Sequence, residues 1–154
     1  MRVAAVVGTR PEVIKLAPVV AELQRRPHAE TMLVSSGQHR EMLDQMLELF
    51  ELEPHVDLDV MQPKQQLGEL TAELVRGLAA TLADLEPDWV LVQGDTTTTL
   101  CGALAAFYTG TPVAHVEAGL RSRDNQAPFP EEANRRLVSP LRSPASTCAT
   151  GVPA

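Results

Sequence analysis

Short apolar runs alternate with longer stretches of helical periodicity along this chain. The short runs are rich in β-branched residues and predict buried strands at Val3–Val7, Thr31–Ser35, Val56–Val60, Trp89–Gln93 and Pro112–Val116. The longer stretches predict helices at Pro11–Gln24, His39–Phe50, Gly68–Leu85 and Thr97–Tyr108. This alternation predicts an α/β fold with a parallel sheet and helices on both of its faces.

Polar residues follow three of the predicted strands directly, after Val7, Gln93 and Val116. In open α/β sheets, ligands bind beyond the carboxyl ends of the strands. These three turns are therefore the expected location of the chemistry.

The first of these turns, residues Gly8–Glu12, has the composition of a well-capped helix start. Gly8 permits a tight turn, Thr9 or Arg10 would be the N-cap, and the Pro and Glu that follow suit a first helical turn. Capping does not explain the cation of Arg10, which lies where helix N–H groups make an anion site. Lys15 is either a solvated lysine or a second cation of a phosphate or carboxylate cluster. The sequence has no GxGxxG or Walker motif, so a nicotinamide, flavin or P-loop site has no support.

Asp95 lies between the strand Trp89–Gln93 and the helix Thr97–Tyr108. Its ordinary role at this position would be to cap the helix. The threonines of Thr96–Thr99 are poor helix formers, however, and offer a line of hydroxyl groups near any ligand. Asp95 is therefore either a helix cap or a carboxylate of the site.

Further carboxylates lie where other elements begin or end. Glu117 emerges directly from an apolar run, where desolvation would favour its protonated form and allow acid or base chemistry. Glu131 and Glu132 follow two prolines, in the first turn of an expected helix whose dipole favours them. With Arg10 and Lys15, these carboxylates make an anion-binding pocket capable of acid–base chemistry plausible.

The composition limits the class of protein. The chain has 154 residues, of which 44% are hydrophobic and 21% charged, as in one globular domain. Its net charge of -7 argues against nonspecific affinity for nucleic acid or an anionic membrane, but a few converging cations can still bind a small anion. Cys101 and Cys148 have no neighbours at metal-ligand spacing, so neither a metal site nor a disulfide scaffold is expected. The first apolar run is too short for a signal peptide or a membrane span, which predicts a cytoplasmic protein.

Six blocks of residues carry a specific resemblance to a known family. They are Gly8–Glu12 with Lys15–Pro18, Gly37–Asp44, Asp59–Met61, Gly94–Thr99, His115–Arg121 and Phe129–Arg136. In this order, and over about residues 1–141, the chain resembles the non-hydrolysing UDP-N-acetylglucosamine 2-epimerases of bacteria.

The resemblance implies a Rossmann-like domain that forms the first half of a glycosyltransferase-B-like fold, with the active site between two domains. It implies that UDP-N-acetylglucosamine is converted into UDP-N-acetylmannosamine by elimination of UDP and its re-addition on the opposite face. It also implies that the reaction needs no cofactor and that the full-length protein is a homodimer.

The resemblance also assigns roles to individual residues. Asp95, Glu117 and Glu131 match the family's catalytic carboxylates, without indicating which of them abstracts the proton. Lys15 matches an active-site lysine, and Arg10 matches a residue near the phosphates of the nucleotide. Some members bind a second UDP-N-acetylglucosamine as an activator, in a region matched here by Gln38, His39, Glu41 and Lys64.

The resemblance ends near Leu141, after which residues 142–154 have no hydrophobic period. We interpret residues 1–141 as the N-terminal Rossmann-like domain and residues 142–154 as an irregular tail outside the family pattern. Such an abrupt change is typical of a shifted reading frame or a truncated gene model, and it predicts that this chain alone is inactive. The alternatives are a hydrolysing 2-epimerase and a non-catalytic half-domain that binds a nucleotide sugar.

Overall fold

Within residues 1–38 and 40–143, which the computed structural model describes, five parallel strands form one sheet that is covered by helices. The strands are β1 (Arg2–Val7), β2 (Glu30–Ser35), β3 (Val56–Asp57), β4 (Trp89–Gln93) and β5 (Val113–Val116). The helices are α1 (Arg10–Gln24), α2 (Arg40–Leu49), α3 (Leu67–Leu85), α4 (Thr97–Tyr108) and α5 (Glu131–Val138). The predicted α/β class is confirmed, and α1 to α4 begin and end within one residue of their predicted bounds.

The central strand β1 is apolar from Val3 to Val7 because both of its faces are buried there. Ala4 and Val6 pack in a core with side chains of α3, α4 and α5. Val3, Ala5 and Val7 pack in a second core with side chains of α1 and α2. Helices therefore cover both faces, as in doubly wound Rossmann-like domains. None of the helices in the described residues is long and apolar enough to cross a membrane.

The strand order β3-β2-β1-β4-β5 places β1 between β2 and β4. Val7 at the end of β1 pairs with Ser35 of β2, and Ala5 pairs with Leu91 of β4. The chain runs outward from β1 first in one direction and then in the other, so a topological switch point lies at the carboxyl ends of β1 and β4. Open α/β sheets bind their ligands at such a point.

The third strand is shorter than the sequence predicts. β3 comprises Val56–Asp57, and the prediction of a strand over Val56–Val60 is wrong beyond Asp57. Asp59 has a φ of 45°, in the left-handed region, which ends the extended conformation. The guanidinium of Arg40 lies 2.8 Å from Asp57 Oδ2 and 2.9 Å from Asp59 Oδ1. These ion pairs direct both carboxylates toward the start of α2.

Two sequence predictions fall outside the described part of the chain. One is the predicted tail 142–154, of which residues 144–154 are not described. The other is His39 of the candidate effector region, which is not described either. Leu141, the last residue of the predicted domain, packs against the core that contains Val138. The division of the chain at residue 141 stays a prediction.

Truncation of Leu78 tests the packing of α3 on the sheet. Its side chain is 0% exposed, so Leu78→Ala should lower the free energy of unfolding by about 2–5 kcal/mol, because a cavity adds to the lost burial. Urea unfolding followed by circular dichroism measures this change. Leu49→Ala is the control, because Leu49 is 67% exposed and its truncation should change the free energy by less than about 0.5 kcal/mol. Equal losses in the two variants would contradict the described packing.

Candidate functional site

Glu117 joins three elements at the carboxyl edge of the sheet. It follows β5 directly, and its Oε2 accepts hydrogen bonds from Lys15 Nζ of α1 and from Gln93 Nε2 at the end of β4. The Lys15 side chain therefore pairs with a carboxylate instead of being only solvated. The structure brings Lys15 and Glu117 together, although they are separated by 102 positions in the sequence.

The environment of Glu117 differs from the desolvated one expected from the sequence. Its side chain is 33% exposed, because it follows the last residue of β5 and faces Lys15 and Gln93 at the edge of the sheet. Glu117 also has a φ of 59°, in the left-handed region that is costly for a residue with a β-carbon. No pattern in the sequence indicates this backbone conformation. The neighbouring contacts, and not burial, fix the carboxylate.

Asp95 is held by α5 and does not cap α4. The N-cap of α4 is Thr96, whose hydroxyl accepts a hydrogen bond from the Thr99 N–H at 3.1 Å. Asp95 Oδ2 instead accepts from Arg135 Nε at 2.8 Å and from a second nitrogen of the same guanidinium. Asn134 Nδ2 donates to the Asp95 carbonyl at 2.8 Å. Asp95 is therefore not a helix cap but a carboxylate paired with α5, and its role in the site stays a prediction.

Glu131 occupies the first position of α5, three and four residues before Asn134 and Arg135. Residues at these spacings lie on one face of a helix, so Glu131 shares the face that holds Asp95. One of its carboxylate oxygens, Oε2, is buried and has no hydrogen-bond partner among the described residues. Glu131 thus retains a free acceptor next to the Asp95 turn.

Glu132, expected from the sequence beside Glu131 in the first turn of a helix, is a buried carboxylate that accepts hydrogen bonds from two different segments. Its side chain is 0% exposed and accepts from the Ser122 N–H at 2.9 Å and the Arg123 N–H at 3.2 Å. Arg135 Nη1 and Arg136 Nε also donate to it, at 3.1 and 2.9 Å. The Ser122 N–H, followed by the other N–H donors, lowers the pKa of Glu132 to about 2.

The Glu132 contacts connect a loop to α5 and hold the guanidinium that binds Asp95. The spacing of Glu132, Arg135 and Arg136 along one helix was a signal that could have indicated these pairs. The contacts with the loop at Ser122 could not be read from the sequence, because they depend on tertiary structure.

Glu12 was expected only as a helix-start residue, but its carboxyl group contacts two turns of the site. It is 1% exposed and accepts from the N–H groups of Gly8 and Thr9 and from the hydroxyl groups of Thr96 and Thr99. Burial raises the pKa of Glu12, against the opposing effect of these donors. Thr9 is the N-cap of α1, which resolves the choice between Thr9 and Arg10.

His115 supports the turn before Asp95 from β5. Its Nε2 lies 2.7 Å from the carbonyl oxygen of Gly94, whose φ of 75° suits a glycine. Because a carbonyl can only accept, Nε2 carries the hydrogen and Nδ1 does not. Burial lowers the pKa of His115, which favours the neutral ring. Nδ1 is buried without a hydrogen-bond partner among the described residues.

Arg10 is the first residue of α1 and is exposed at the same edge of the sheet. Within residues 1–38 and 40–143 its side chain makes no hydrogen bond or ion pair, so its cation is available to a ligand. It lies beside the α1 N-terminus, and its role in an anion site stays a prediction.

The candidate effector residues are only partly connected in the structure. Gln38 Oε1 accepts from the Thr98 hydroxyl at 2.8 Å, which places it beside α4. Glu41 is exposed in the first turn of α2, and Lys64 is exposed in the connection before α3. No hydrogen bond or ion pair among the described residues joins Lys64 to Gln38 or Glu41. The effector role stays a prediction.

Clusters of metal-binding side chains are absent from the described ranges: no three His, Cys, Asp or Glu residues are grouped so that they could hold a metal ion. The buried thiol of Cys101 is also unsuited to reaction, because burial raises its pKa to about 12.

Comparisons with known proteins agree with one another. The family model described as UDP-N-acetylglucosamine 2-epimerase matches residues 21–150. The UDP-N-acetylglucosamine 2-epimerase of Salmonella typhimurium is 55% identical over 141 residues, which are 92% of this chain and 38% of that protein.

Two solved structures extend the comparison to the fold. The UDP-GlcNAc 2-epimerase from Neisseria meningitidis, bound to UDP-GlcNAc, has a TM-score of 0.89 and 52% identity, covering 92% of this chain and 38% of its own. The UDP-GlcNAc 2-epimerase of Methanocaldococcus jannaschii, in complex with UDP-GlcNAc and UDP, has a TM-score of 0.86 and 36% identity. The match covers 93% of this chain and 39% of that one. The chain thus spans less than two fifths of the length of these relatives.

Glu132 should make the stability of the folded protein depend on pH. Its pKa is lowered from 4.5 to about 2 in the folded protein, so its contribution to stability is present above pH 4.5 and is lost as the pH falls toward 2. The difference in unfolding free energy between the wild type and Glu132→Gln should therefore shrink over this range. Urea unfolding at a series of pH values measures it. Glu48→Gln, at an exposed position of α2, is the control; a Glu132 difference that stays constant with pH would contradict the assignment.

Proposed function

The chain belongs to the UDP-N-acetylglucosamine 2-epimerase family, and from this premise we propose that it carries the N-terminal half of the active site of a non-hydrolysing 2-epimerase. In this proposal it is the first half of a glycosyltransferase-B-like fold, and its substrate is UDP-N-acetylglucosamine. A homodimeric full-length protein and a cytoplasmic location remain predictions.

One observation supports the proposal above the others. The carboxylates of Asp95, Glu117 and Glu131 and the cations of Lys15 and Arg10 all lie at the carboxyl edge of the sheet. A 2-epimerisation by elimination needs a base for a carbon-bound proton, an acid or cation for the departing diphosphate, and a proton donor for the opposite face. This edge offers all three kinds of group.

The proposed reaction has two steps that reverse each other. A carboxylate takes the proton from the carbon that bears the acetamido group while the bond between the anomeric carbon and UDP breaks, leaving an unsaturated sugar. UDP then re-forms its bond to the anomeric carbon, and a proton is delivered to the opposite face of the neighbouring carbon. Overall, atoms and electrons are conserved and no oxidant is needed.

The contacts distinguish the three carboxylates. Asp95 is paired with Arg135, and Glu117 is paired with Lys15. Glu131 alone among them has a buried oxygen without a partner in the described residues, so it can accept a proton without breaking an ion pair. Arg10 and the N-terminus of α1 would face the diphosphate and stabilise the charge that develops on it.

Two experiments with UDP-N-acetylglucosamine test this proposal. The 154-residue chain alone should give no turnover, because the transition state would lack the contacts of a second domain. A hybrid that joins residues 1–141 to the remaining part of the Salmonella typhimurium relative should form UDP-N-acetylmannosamine, measured by proton NMR of the product.

Variants of the hybrid test the residues. Asp95→Asn, Glu117→Gln and Glu131→Gln should each lower turnover by roughly a hundredfold or more, since each removes a group that would act on a proton or on charge in the transition state. Glu73→Gln is the control, because among the described residues Glu73 pairs only with Arg76, on the surface of α3. Full activity in all three site variants would refute the proposal.

The products separate the alternative functions. Release of free N-acetylmannosamine with UDP would identify a hydrolysing enzyme. Binding of the nucleotide sugar without any conversion by the hybrid would identify a non-catalytic half-domain.

A further inference from the structure

Glu12 lies between two turns that are far apart in the sequence. It is the third residue of α1, and its side chain is 1% exposed. The turn that precedes it carries Arg10, and the turn on its other side carries Asp95 and Thr96. Each of its two carboxylate oxygens contacts one of these turns.

The first oxygen, Oε2, binds the turn between β1 and α1. It accepts from the Gly8 N–H and the Thr9 N–H, both at 2.7 Å, and from the Thr9 hydroxyl at 3.0 Å. This pattern resembles a capping box, in which a glutamate at the third helical position returns to the N-cap backbone. By itself, it would make Glu12 a local stabiliser of α1.

The second oxygen, Oε1, binds the turn between β4 and α4. It lies 2.5 Å from the Thr96 hydroxyl and 3.1 Å from the Thr99 hydroxyl. Thr96 is 84 positions away in the sequence and directly follows Asp95. A local capping role does not require these two contacts.

We propose that Glu12 is a positioning residue that joins the Arg10 turn to the Asp95 turn and thereby fixes the distance between the anion-binding end and the carboxylate end of the site. The functional half of this inference rests on the function proposed above. The structural half, the coupling of the two turns, stands on the hydrogen bonds alone. Glu12 itself is not assigned a contact with substrate.

The chain contains a second glutamate at the same helical position as Glu12, which caps its own helix but does not join two turns. Glu69 is also the third residue of its helix, α3, and its Oε2 accepts from the Gln66 N–H at 3.0 Å. It is exposed, and within the described residues it makes no hydrogen bond to another element. Losing Glu69 removes a cap alone, whereas losing Glu12 removes a cap and a connection.

The hydroxyl groups of Thr96 and Thr99 determine which substitution of Glu12 still joins the two turns. Thr99 Oγ1 lies 2.6 Å from the Gln93 carbonyl oxygen and 3.1 Å from Glu12 Oε1, and its single hydrogen can go to only one of them. In Glu12→Gln, that hydrogen can go to the Gln93 carbonyl oxygen. The Thr96 and Thr99 oxygens can then accept from the NH2 group of the new glutamine, while its carbonyl oxygen accepts from the Gly8 and Thr9 N–H groups. Glu12→Gln should therefore keep both turns joined. Glu12→Asp keeps the carboxyl group but is one methylene too short to reach both turns.

Hydrogen exchange of the 154-residue chain tests the coupling. In Glu12→Ala and Glu12→Asp, the Glu12 hydrogen bonds to the turn between β4 and α4 are lost. The amide hydrogens of Thr99 and Leu100 at that turn should therefore exchange faster, by on the order of tenfold relative to the amide hydrogens of β2. Glu12→Gln and Glu69→Ala should leave that ratio within about threefold of the wild type. A uniform acceleration throughout the protein in the Glu12 variants would overturn the coupling.

A second variant tests the same connection without changing Glu12, in case the Glu12 variants do not fold. Thr99→Val removes a hydroxyl that contacts Glu12 but keeps the shape of the side chain. The amide hydrogens of Gly8 and Thr9 should then exchange faster relative to β2, although the substitution lies 87 positions from Glu12. An unchanged ratio at both amides would also overturn the coupling.

The hybrid protein tests the consequence for the reaction. Glu12→Asp should lower kcat by roughly a hundredfold while KM for UDP-N-acetylglucosamine changes by less than about threefold, because misplaced groups cost more in the transition state than in binding. Glu12→Gln should restore kcat. Loss of kcat in both variants, or in Glu69→Ala, would overturn the positioning role. Failure of the unaltered hybrid to react would refute the proposed function instead, and hydrogen exchange would still decide the coupling.

Discussion

The parallel pairing of β1 with β2 on one side and β4 on the other is the constraint on which the site depends. It brings the ends of strands from different parts of the sequence to one edge, where the helices α1 and α4 begin. Both faces of β1 are buried, so a shift of one residue would move every side chain to the wrong core. The packing of two helical layers thus fixes the register, and the register fixes the positions of the turns.

Charge compensation is the second organising feature. The chain carries a net charge of -7, yet two of its three candidate catalytic carboxylates are paired with cations: Asp95 with Arg135, and Glu117 with Lys15. Arg135 is itself held by the buried Glu132. These pairs reduce the negative charge that an anionic ligand meets near Arg10 and the α1 N-terminus. This electrostatic arrangement agrees with the nucleotide diphosphate that we propose as ligand.

Periodicity and turn chemistry were sufficient to predict the fold class and the positions of α1 to α4, because each element has a regular pattern of its own. The length of β3 was not predictable, since the chain leaves the strand through the contacts of Arg40 with Asp57 and Asp59. The candidate carboxylates were found from their positions after strands and from the family resemblance. Three contacts were missed: Asp95 with Arg135, Glu132 with the loop at Ser122, and Glu12 with Thr96. Each joins segments that are distant in the sequence, and no local pattern indicates such a contact.

The central claim is that the ligand site lies at the carboxyl ends of β1, β4 and β5. Titration of UDP-N-acetylglucosamine into the isotopically labelled chain, followed by amide chemical shifts, tests it most directly. The account predicts that the largest shifts occur at Thr9, Arg10, Asp95, Thr96 and Glu117. Shifts confined to the opposite edge, at the groove formed by Leu82, Asp88 and Thr109, would contradict it.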